Sequence, residues 1–200
     1  WVYNMSDVIT TIDNQFYNII ESRIKEKNKL SIIPNFVDTQ LYSTKSEVSL
    51  PDEFKKDEDY TDILYAGNIG LAQEWDLIIS LAKEIREFKI NIWIVGEGLR
   101  KGYLESEIEK YSLNNIKLLP YYDRKYMPAI NLFADIYFIA MNKKVEKYGF
   151  PSKVYTIMAS GKPMIVVSSE ETPIVSFLKD INAALLAVSY THLTLPTSRS

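Results

Sequence analysis

The stretch Asp62-Ile-Leu-Tyr-Ala-Gly-Asn-Ile-Gly70 decides the fold, because an apolar run of strand length passes directly into a loop with two glycines. Residues 74–87 follow with apolar side chains at helical spacing. Residues 90–95 form a second apolar run, which ends at Gly96-Glu-Gly98. Strand, loop, helix and strand in this order are typical of a βαβ unit, in which the two strands are parallel.

The same alternation continues along the chain. We predict further strands at residues 116–119, 135–140, 163–167 and 184–186, and helices at 99–111, 125–133, 152–160 and 173–179. The strands are nearly continuous apolar runs, as expected when helices cover both faces of a sheet. The sequence therefore predicts the α/β class, with a Rossmann-like, doubly wound parallel sheet over residues 62–187.

The chain before this sheet has a different organisation. Residues 1–38 show a short helical stretch, then strand, helix and strand patterns at 7–12, 16–24 and 30–33. Residues 39–61 are rich in Ser, Lys, Asp and Glu, which is typical of a solvated linker. We therefore expect a domain boundary at 39–61.

Both ends of the chain indicate a fragment. The chain begins with Trp1 instead of Met, and Val188-Ser-Tyr-Thr-His-Leu-Thr-Leu-Pro-Thr197 resembles the in-frame translation of a sequencing-library adapter. We interpret residues 188–200 as a non-native tail. His192, the single histidine, lies in it, and we expect no function for it.

Composition excludes several classes of function. The net charge of −3 gives no basic surface for nucleic acid, and the absence of cysteine excludes disulfides and thiolate metal sites. No apolar run approaches the roughly 18 residues of a membrane span. We expect a cytoplasmic protein with no nucleic-acid partner and no metal.

Three loops at the carboxyl ends of predicted strands are candidate ligand sites, because ligands of open parallel sheets bind at that edge. They are Gly67-Asn-Ile-Gly70, Gly96-Glu-Gly98 and Glu146-Lys-Tyr-Gly-Phe-Pro-Ser-Lys153. Glycines allow backbone amides to approach a pyrophosphate, and Ser152 and Lys153 stand at a predicted helix start, where an anion is favoured. Each loop could instead be a plain turn, with Ser152 as a helix cap and Lys153 as a surface residue.

The chain resembles the family 4 retaining glycosyltransferases, whose GT-B architecture has two Rossmann domains. The resemblance rests on six stretches in the family's order, namely Ile32-Ile-Pro-Asn-Phe-Val-Asp38, Tyr65-Ala-Gly-Asn-Ile-Gly-Leu-Ala-Gln73, Ile94-Val-Gly-Glu-Gly98, Ala134-Asp-Ile136, Gly149-Phe-Pro-Ser-Lys-Val-Tyr155 and Met158-Ala-Ser-Gly-Lys-Pro163. Together they cover nearly all of residues 1–187.

This resemblance implies that residues 62–187 are a donor domain that binds a nucleotide-diphosphate sugar, most often UDP-linked. Residues 1–38 would be the end of an N-terminal domain that holds a glycan or lipid-linked acceptor. The implied activity is sugar transfer in bacterial surface polysaccharide synthesis, by a cytoplasmic enzyme at or near the inner face of the membrane. The sugar would be a hexose or an N-acetylhexosamine, and the nucleotide sugar would be a substrate, with no cofactor and no metal.

Carried over by position, residues 67–70, including Ile69, would face the diphosphate. Gly96 and Gly98 would edge the nucleotide cleft. Tyr121 and Tyr122 would lie near the base, although both could equally be packing residues.

The chain departs from the common family pattern at two places. Asn68 and Gln73 stand where an Arg and a Lys usually hold the pyrophosphate, and Tyr148 and Thr156 stand where two Glu usually contact sugar and ribose. The combination looks like the fucosamine and colanic-acid-type subfamily. In that interpretation Lys153 replaces the basic pair and Glu146 replaces the lost sugar-contacting Glu. Pro151, Ser152, Tyr155 and Thr156 complete the donor site.

Two alternatives remain open. A UDP-sugar 2-epimerase shares this fold, but it would need acid and base side chains that include histidine. A nucleotide-binding module without catalysis could share the same loops. We expect the isolated chain to bind UDP weakly and to transfer no sugar.

Overall fold

The computed structural model describes residues 2–42, 48–179, 181 and 184–188. At the N-terminal end, α1 (Val2–Met5), β1 (Ile9–Thr11), α2 (Asn14–Glu21), a 3₁₀ turn (Lys27–Lys29) and β2 (Leu30–Ile32) follow one another. The strands β1 and β2 pair in parallel, with Ile9 beside Leu30. Asp13 caps α2 by accepting a hydrogen bond from the amide of Phe16 at 2.8 Å.

The remaining described chain forms one sheet of six parallel strands flanked by helices. The strands are β3 (Thr61–Ala66), β4 (Ile90–Val95), β5 (Ile116–Leu119), β6 (Ile136–Ala140), β7 (Met164–Ser168) and β8 (Ala184–Val188). The helices are α3 (Trp75–Glu84), α4 (Lys101–Tyr111), α5 (Met127–Phe133), α6 (Lys153–Ala159) and α7 (Pro173–Leu178), and a 3₁₀ turn, Arg124–Tyr126, leads into α5.

The strand order is β5-β4-β3-β6-β7-β8. The chain therefore winds outward from β3 in one direction through β4 and β5, and then returns to the other side of β3 with β6. This is the order of a Rossmann sheet, and the reversal between β3 and β6 is its topological switch point.

Helices cover both faces of this sheet, as alternate side chains of β3 show. Leu64 packs into a core cluster with Ile139 and Val166, whereas Ile63 and Tyr65 pack into a second cluster on the opposite face. The predicted α/β class and doubly wound sheet are confirmed.

The observed elements differ from the predicted ones mainly at their ends. Helix α3 ends at Glu84 instead of the predicted residue 87. A turn follows it, in which the amide of Phe88 donates to the carbonyl of Ile85 at 2.9 Å. Strand β8 continues to Val188, one residue into the stretch interpreted as a tail. Residues 189–200, with His192, lie outside the described residues. In the described part of the chain, no helix is long and apolar enough to span a bilayer.

The expectation of a fully solvated linker is wrong at Phe54. Its ring is buried, stacks on Trp93 at 5.2 Å and meets Phe133 edge-on at the same distance. Lys56 lies beside it and forms ion pairs with Asp62 at 2.9 Å and Asp135 at 2.7 Å. This part of the linker is anchored to the amino ends of the strands.

Asp62 is the centre of that anchor, because its carboxylate is only 1% exposed. It accepts hydrogen bonds from the Lys56 amine, from the side-chain carboxamide nitrogen of Asn91 at 3.1 Å and from the indole of Trp93 at 2.7 Å. A buried charge is tolerated when it is paired and hydrogen-bonded, as this one is.

We expect Asp62→Ala to lower the free energy of unfolding by at least about 2 kcal/mol, because the buried donors of Asn91 and Trp93 lose their acceptor. Urea denaturation measures the change. The matched control is Asp59→Ala, which removes an exposed ion pair with Lys89 and should cost less than about 1 kcal/mol. Equal losses in the two variants would contradict the anchoring role of Asp62.

Candidate functional site

A crevice of about 470 Å³ opens at the switch point between β3 and β6. It is bounded by the loop after β3 and by the segment that leads from β6 into α6. Its lining residues are Tyr65, Ala66, Gly67, Asn68, Gly70, Ala72, Gln73, Phe150, Pro151, Ser152, Lys153 and Thr156.

The crevice exists because β3 and β6 pair over only two positions, Ile63 with Ile136 and Leu64 with Tyr137. Beyond them the loop after β3 returns to the end of β6, where the amide of Glu74 donates to the carbonyl of Ala140 at 3.0 Å. This hydrogen bond holds the loop after β3 against the carboxyl end of β6, at the edge of the sheet where the crevice lies.

The backbone amides of the first loop divide into two pairs. Gly67 and Ile69 donate to the carbonyls of Val95 and Glu97, at 2.9 and 2.8 Å. Those of Asn68 and Gly70 have no hydrogen-bond partner among the described residues. The expectation that residues 67–70 all face a ligand is therefore wrong for Ile69, whose side chain is also fully buried in the core. Only two amides of this loop remain for a ligand.

Aromatic side chains hold the carbonyls of the same loop. The hydroxyl of Tyr65 donates to the carbonyl of Asn68, and the indole of Trp75 donates to that of Gly70, both at 2.7 Å. The two rings pack edge to face at 4.9 Å. These two carbonyl oxygens are therefore hydrogen-bonded, whereas the amides of the same two residues have no partner among the described residues.

Gly96 and Gly98 lie against this loop and are not among the residues that line the crevice. A Cβ atom on Gly96 would stand 1.9 Å from the carbonyl oxygen of Gly67, and one on Gly98 would stand 2.3 Å from that of Ile69. Both glycines also have positive φ angles, 154° and 156°. They are required for the close contact between two backbones. That they also edge the nucleotide cleft stays a prediction.

Lys153, the first residue of α6, supplies the cationic group of the crevice. Its Nζ is buried, lies 3.6 Å from the ring centroid of Tyr65 and has no hydrogen-bond partner among the described residues. Burial lowers the pKa of this amine to about 7. A desolvated cation–π contact contributes about 2 kcal/mol or somewhat more. This does not offset the several kcal/mol that burial of an ion costs.

The other polar groups of the crevice are uncharged. The carboxamide oxygen of Gln73 is buried without a partner among the described residues, like the Lys153 amine. The hydroxyl of Thr156 donates to the carbonyl of Lys153 at 2.8 Å, within the first turn of α6. Ser152 precedes α6 but makes no side-chain capping hydrogen bond.

The structure does not bring Glu146 into the crevice, which corrects the expectation that it contacts the sugar. The side chain is 2% exposed and its carboxylate accepts hydrogen bonds from the hydroxyl of Ser168 at 3.1 Å and the amide of Ser169 at 2.9 Å. The hydroxyl of Ser169 donates to its other oxygen. Glu146 therefore ties the segment before α6 to the end of β7, because both of its oxygens are engaged there.

Two of the three tyrosines predicted at the donor site pack against other aromatic rings, and the position of Tyr121 near the base stays a prediction. Tyr155 packs among aromatic rings, 5.5 Å from Phe150 and 5.6 Å from Phe177. Tyr122 packs against the ring of Phe54 at 5.7 Å, and Tyr121 is 66% exposed. Packing, the alternative considered for Tyr122, is its observed role.

Sequence reasoning missed Tyr65 as a site residue, although it lies in the stretch that decides the fold. Its polar aromatic side chain at the end of an aliphatic strand was the available signal. Among the described residues, no cluster of three His, Cys, Asp or Glu side chains could hold a metal ion.

A Rossmann-type sheet with a crevice at its topological switch point places the chain in the doubly wound α/β class, whose ligands bind at that point. Residues 49–191 match the profile of the family described as glycosyl transferases group 1. The chain belongs to this family.

Individual proteins agree with this assignment. The chain is 24% identical over 180 residues to an Escherichia coli K12 protein, WcaI, described as a colanic acid biosynthesis glycosyl transferase. That alignment covers 86% of this chain and 42% of WcaI, so the chain spans less than half the length of this relative.

Solved structures share the fold at low identity. Alr3699/HepE of Anabaena, in complex with UDP and glucose, matches 92% of this chain and 50% of its own, with a TM-score of 0.71 and 13% identity. The pneumococcal O-GlcNAc transferase GtfA, in complex with UDP and GlcNAc, matches 92% of this chain and 34% of its own, with a TM-score of 0.69 and 16% identity. WaaG, a glycosyltransferase involved in lipopolysaccharide biosynthesis, matches 90% of this chain and 48% of its own, with a TM-score of 0.67 and 12% identity.

We expect Gly98→Ala to destabilise the chain by about 2 kcal/mol or more, because the new Cβ atom collides with the backbone of Ile69. The matched control is Gly102→Ala in α4, where nothing lies within 4 Å of the new atom. That substitution should stabilise the chain by about 0.5–1 kcal/mol. Thermal unfolding compares them, and a neutral Gly98→Ala would contradict the close contact between the loops.

Proposed function

We propose that the crevice binds the diphosphate of a nucleotide sugar, with UDP as the nucleotide, and that the full-length protein transfers the sugar to an acceptor. The observation that carries this proposal is the buried amine of Lys153, a residue that lines the crevice, which has no hydrogen-bond partner among the described residues. A buried amine in that state is stabilised by an anion, and phosphate oxygens are suitable acceptors for it.

The free amides of Asn68 and Gly70 lie on the same crevice as Lys153. In the proposed complex the two amides and the amine donate to the diphosphate. Negative charge grows on the diphosphate as its bond to the sugar breaks, so these fixed donors stabilise the transition state more than the ground state. Lys153 is then the catalytic residue, and Asn68, Gly70 and Gln73 are binding residues.

This chemistry acts through hydrogen bonds and charge instead of a protein nucleophile. The residues that line the crevice in the described structure include no carboxylate and no imidazole. We therefore propose transfer without a metal or cofactor, in which the nucleotide sugar is a substrate.

The descriptions of two relatives support a proposal for the acceptor and the pathway. WcaI is described as a glycosyl transferase of colanic acid biosynthesis, and WaaG as a glycosyltransferase involved in lipopolysaccharide biosynthesis. We propose that the acceptor is a glycan or a lipid-linked glycan of a bacterial surface polysaccharide, held by a part of the protein outside this chain. The donor sugar is a hexose or N-acetylhexosamine, and the enzyme works at the cytoplasmic face of the membrane.

The alternative of a 2-epimerase is less well supported. It needs acid and base groups at the sugar, whereas the carboxylate of Glu146 is committed to Ser168 and Ser169. A binding module without catalysis would use the same crevice. An assay of sugar transfer by the full-length protein separates that module from a transferase.

We expect Lys153→Met to weaken UDP binding by about 10- to 100-fold at neutral pH, because a hydrogen bond to a charged group contributes about 1.5–3 kcal/mol. Isothermal titration calorimetry on this chain measures the change, and in the full-length enzyme the KM for the donor should rise in parallel. The matched control is Lys147→Met, an exposed lysine of the segment before α6, which should leave the affinity nearly unchanged. Equal effects of the two substitutions would contradict the assignment of Lys153.

A further inference from the structure

We infer that the crevice takes up a proton together with the nucleoside diphosphate, and that the amine of Lys153 is the group that receives it. This inference rests on the proposed function and adds a property of the same site, namely that donor binding is coupled to protonation.

The surroundings of Lys153 are the first observation. Its Nζ is buried against the face of the Tyr65 ring, and a Cβ atom on Gly67 would stand only 2.7 Å from it. No described residue offers it a hydrogen-bond acceptor. An ammonium ion in this position has lost its hydration without receiving acceptors in return.

The charges that face Lys153 are the second observation. Tyr65 on β3 is the other titratable residue among those that line the crevice, and burial raises the pKa of its phenol, so it remains uncharged. The loop after β3 contributes Asn68 and Gln73, and α6 with the residue before it contributes Ser152 and Thr156, all neutral. No carboxylate lies among the described residues of this lining to balance a positive charge.

Desolvation without a counter-charge favours the neutral amine, and it lowers the pKa of Lys153 to about 7 in the empty crevice. A diphosphate supplies the missing counter-charge and acceptors, which restores a pKa near the ordinary lysine value of about 10.4. Binding above neutral pH therefore adds one proton from solvent to Nζ. One N–H bond forms, and the buffer loses the proton.

The direction of the pH dependence follows from the two pKa values. Below about pH 7 the free amine already carries its proton, so binding takes up little. Between about pH 7 and pH 10 the free chain must acquire the proton on binding, so affinity falls as the pH rises, by about tenfold per pH unit.

The test is calorimetric titration of this chain with UDP at about pH 8.5, in two phosphate-free buffers that differ in enthalpy of ionisation. The phosphates of UDP are fully ionised there, because a second phosphate pKa lies near 6. We expect uptake of about one proton per UDP, and about tenfold weaker binding at pH 9 than at pH 8.

Two variants identify the group. Lys153→Arg carries a charge that persists throughout this range, so its UDP complex should form without proton uptake. Lys147→Met removes an exposed lysine that does not line the crevice, so uptake should remain near one proton. As a measurement independent of binding, the ¹³Cε resonance of Lys153 in the free wild-type chain should titrate near pH 7.

The outcomes are distinct. UDP binding by the wild-type chain without proton uptake, or a Lys153 resonance that titrates near pH 10, overturns this inference and leaves the proposed function standing. Proton uptake that persists in Lys153→Arg also overturns it. A complete absence of UDP binding contradicts the proposed function itself.

Discussion

The contact between the backbone of residues 67–69 and the two glycines of the neighbouring loop is the constraint on which the crevice depends. The loop after β3 can lie this close to the loop after β4 only because Gly96 and Gly98 have no side chain. The contact engages the amides of Gly67 and Ile69, while Tyr65 and Trp75 engage two of the carbonyls. The donors left over are those of Asn68 and Gly70.

The second half of the crevice depends on the segment that leads into α6. Glu146 fixes this segment to the end of β7 through Ser168 and Ser169, and the segment then delivers Lys153 to the ring of Tyr65. The buried carboxylate of Glu146 and the buried amine of Lys153 therefore have different roles. The carboxylate accepts hydrogen bonds at both oxygens and holds the backbone, whereas the amine is buried without a hydrogen-bond partner among the described residues.

The sequence was sufficient to predict the class of fold, because long apolar strands alternate with helical patterns over residues 62–187. It also predicted that Lys153 and the loop after β3 lie close together, and both line one crevice. It could not assign Glu146, Tyr155 or Ile69, because the direction of a side chain in a loop or a short helix depends on tertiary contacts. Nothing in the local pattern around Glu146 indicates that Ser168 and Ser169 lie beside it. The burial of Phe54 was not predicted either, because the charged residues around it in the sequence are typical of an exposed linker.

The most direct test of the central claim, that a diphosphate binds between the loop after β3 and Lys153, is a ¹H–¹⁵N correlation spectrum of this chain recorded with increasing UDP. If a diphosphate binds there, the amide resonances of Asn68 and Gly70 should shift most, because these amides have no hydrogen-bond partner among the described residues. Those of Gly161 and Lys162, at the amino-terminal edge of the sheet, should stay in place. Shifts confined to that edge, with Asn68 and Gly70 unchanged, would contradict the account.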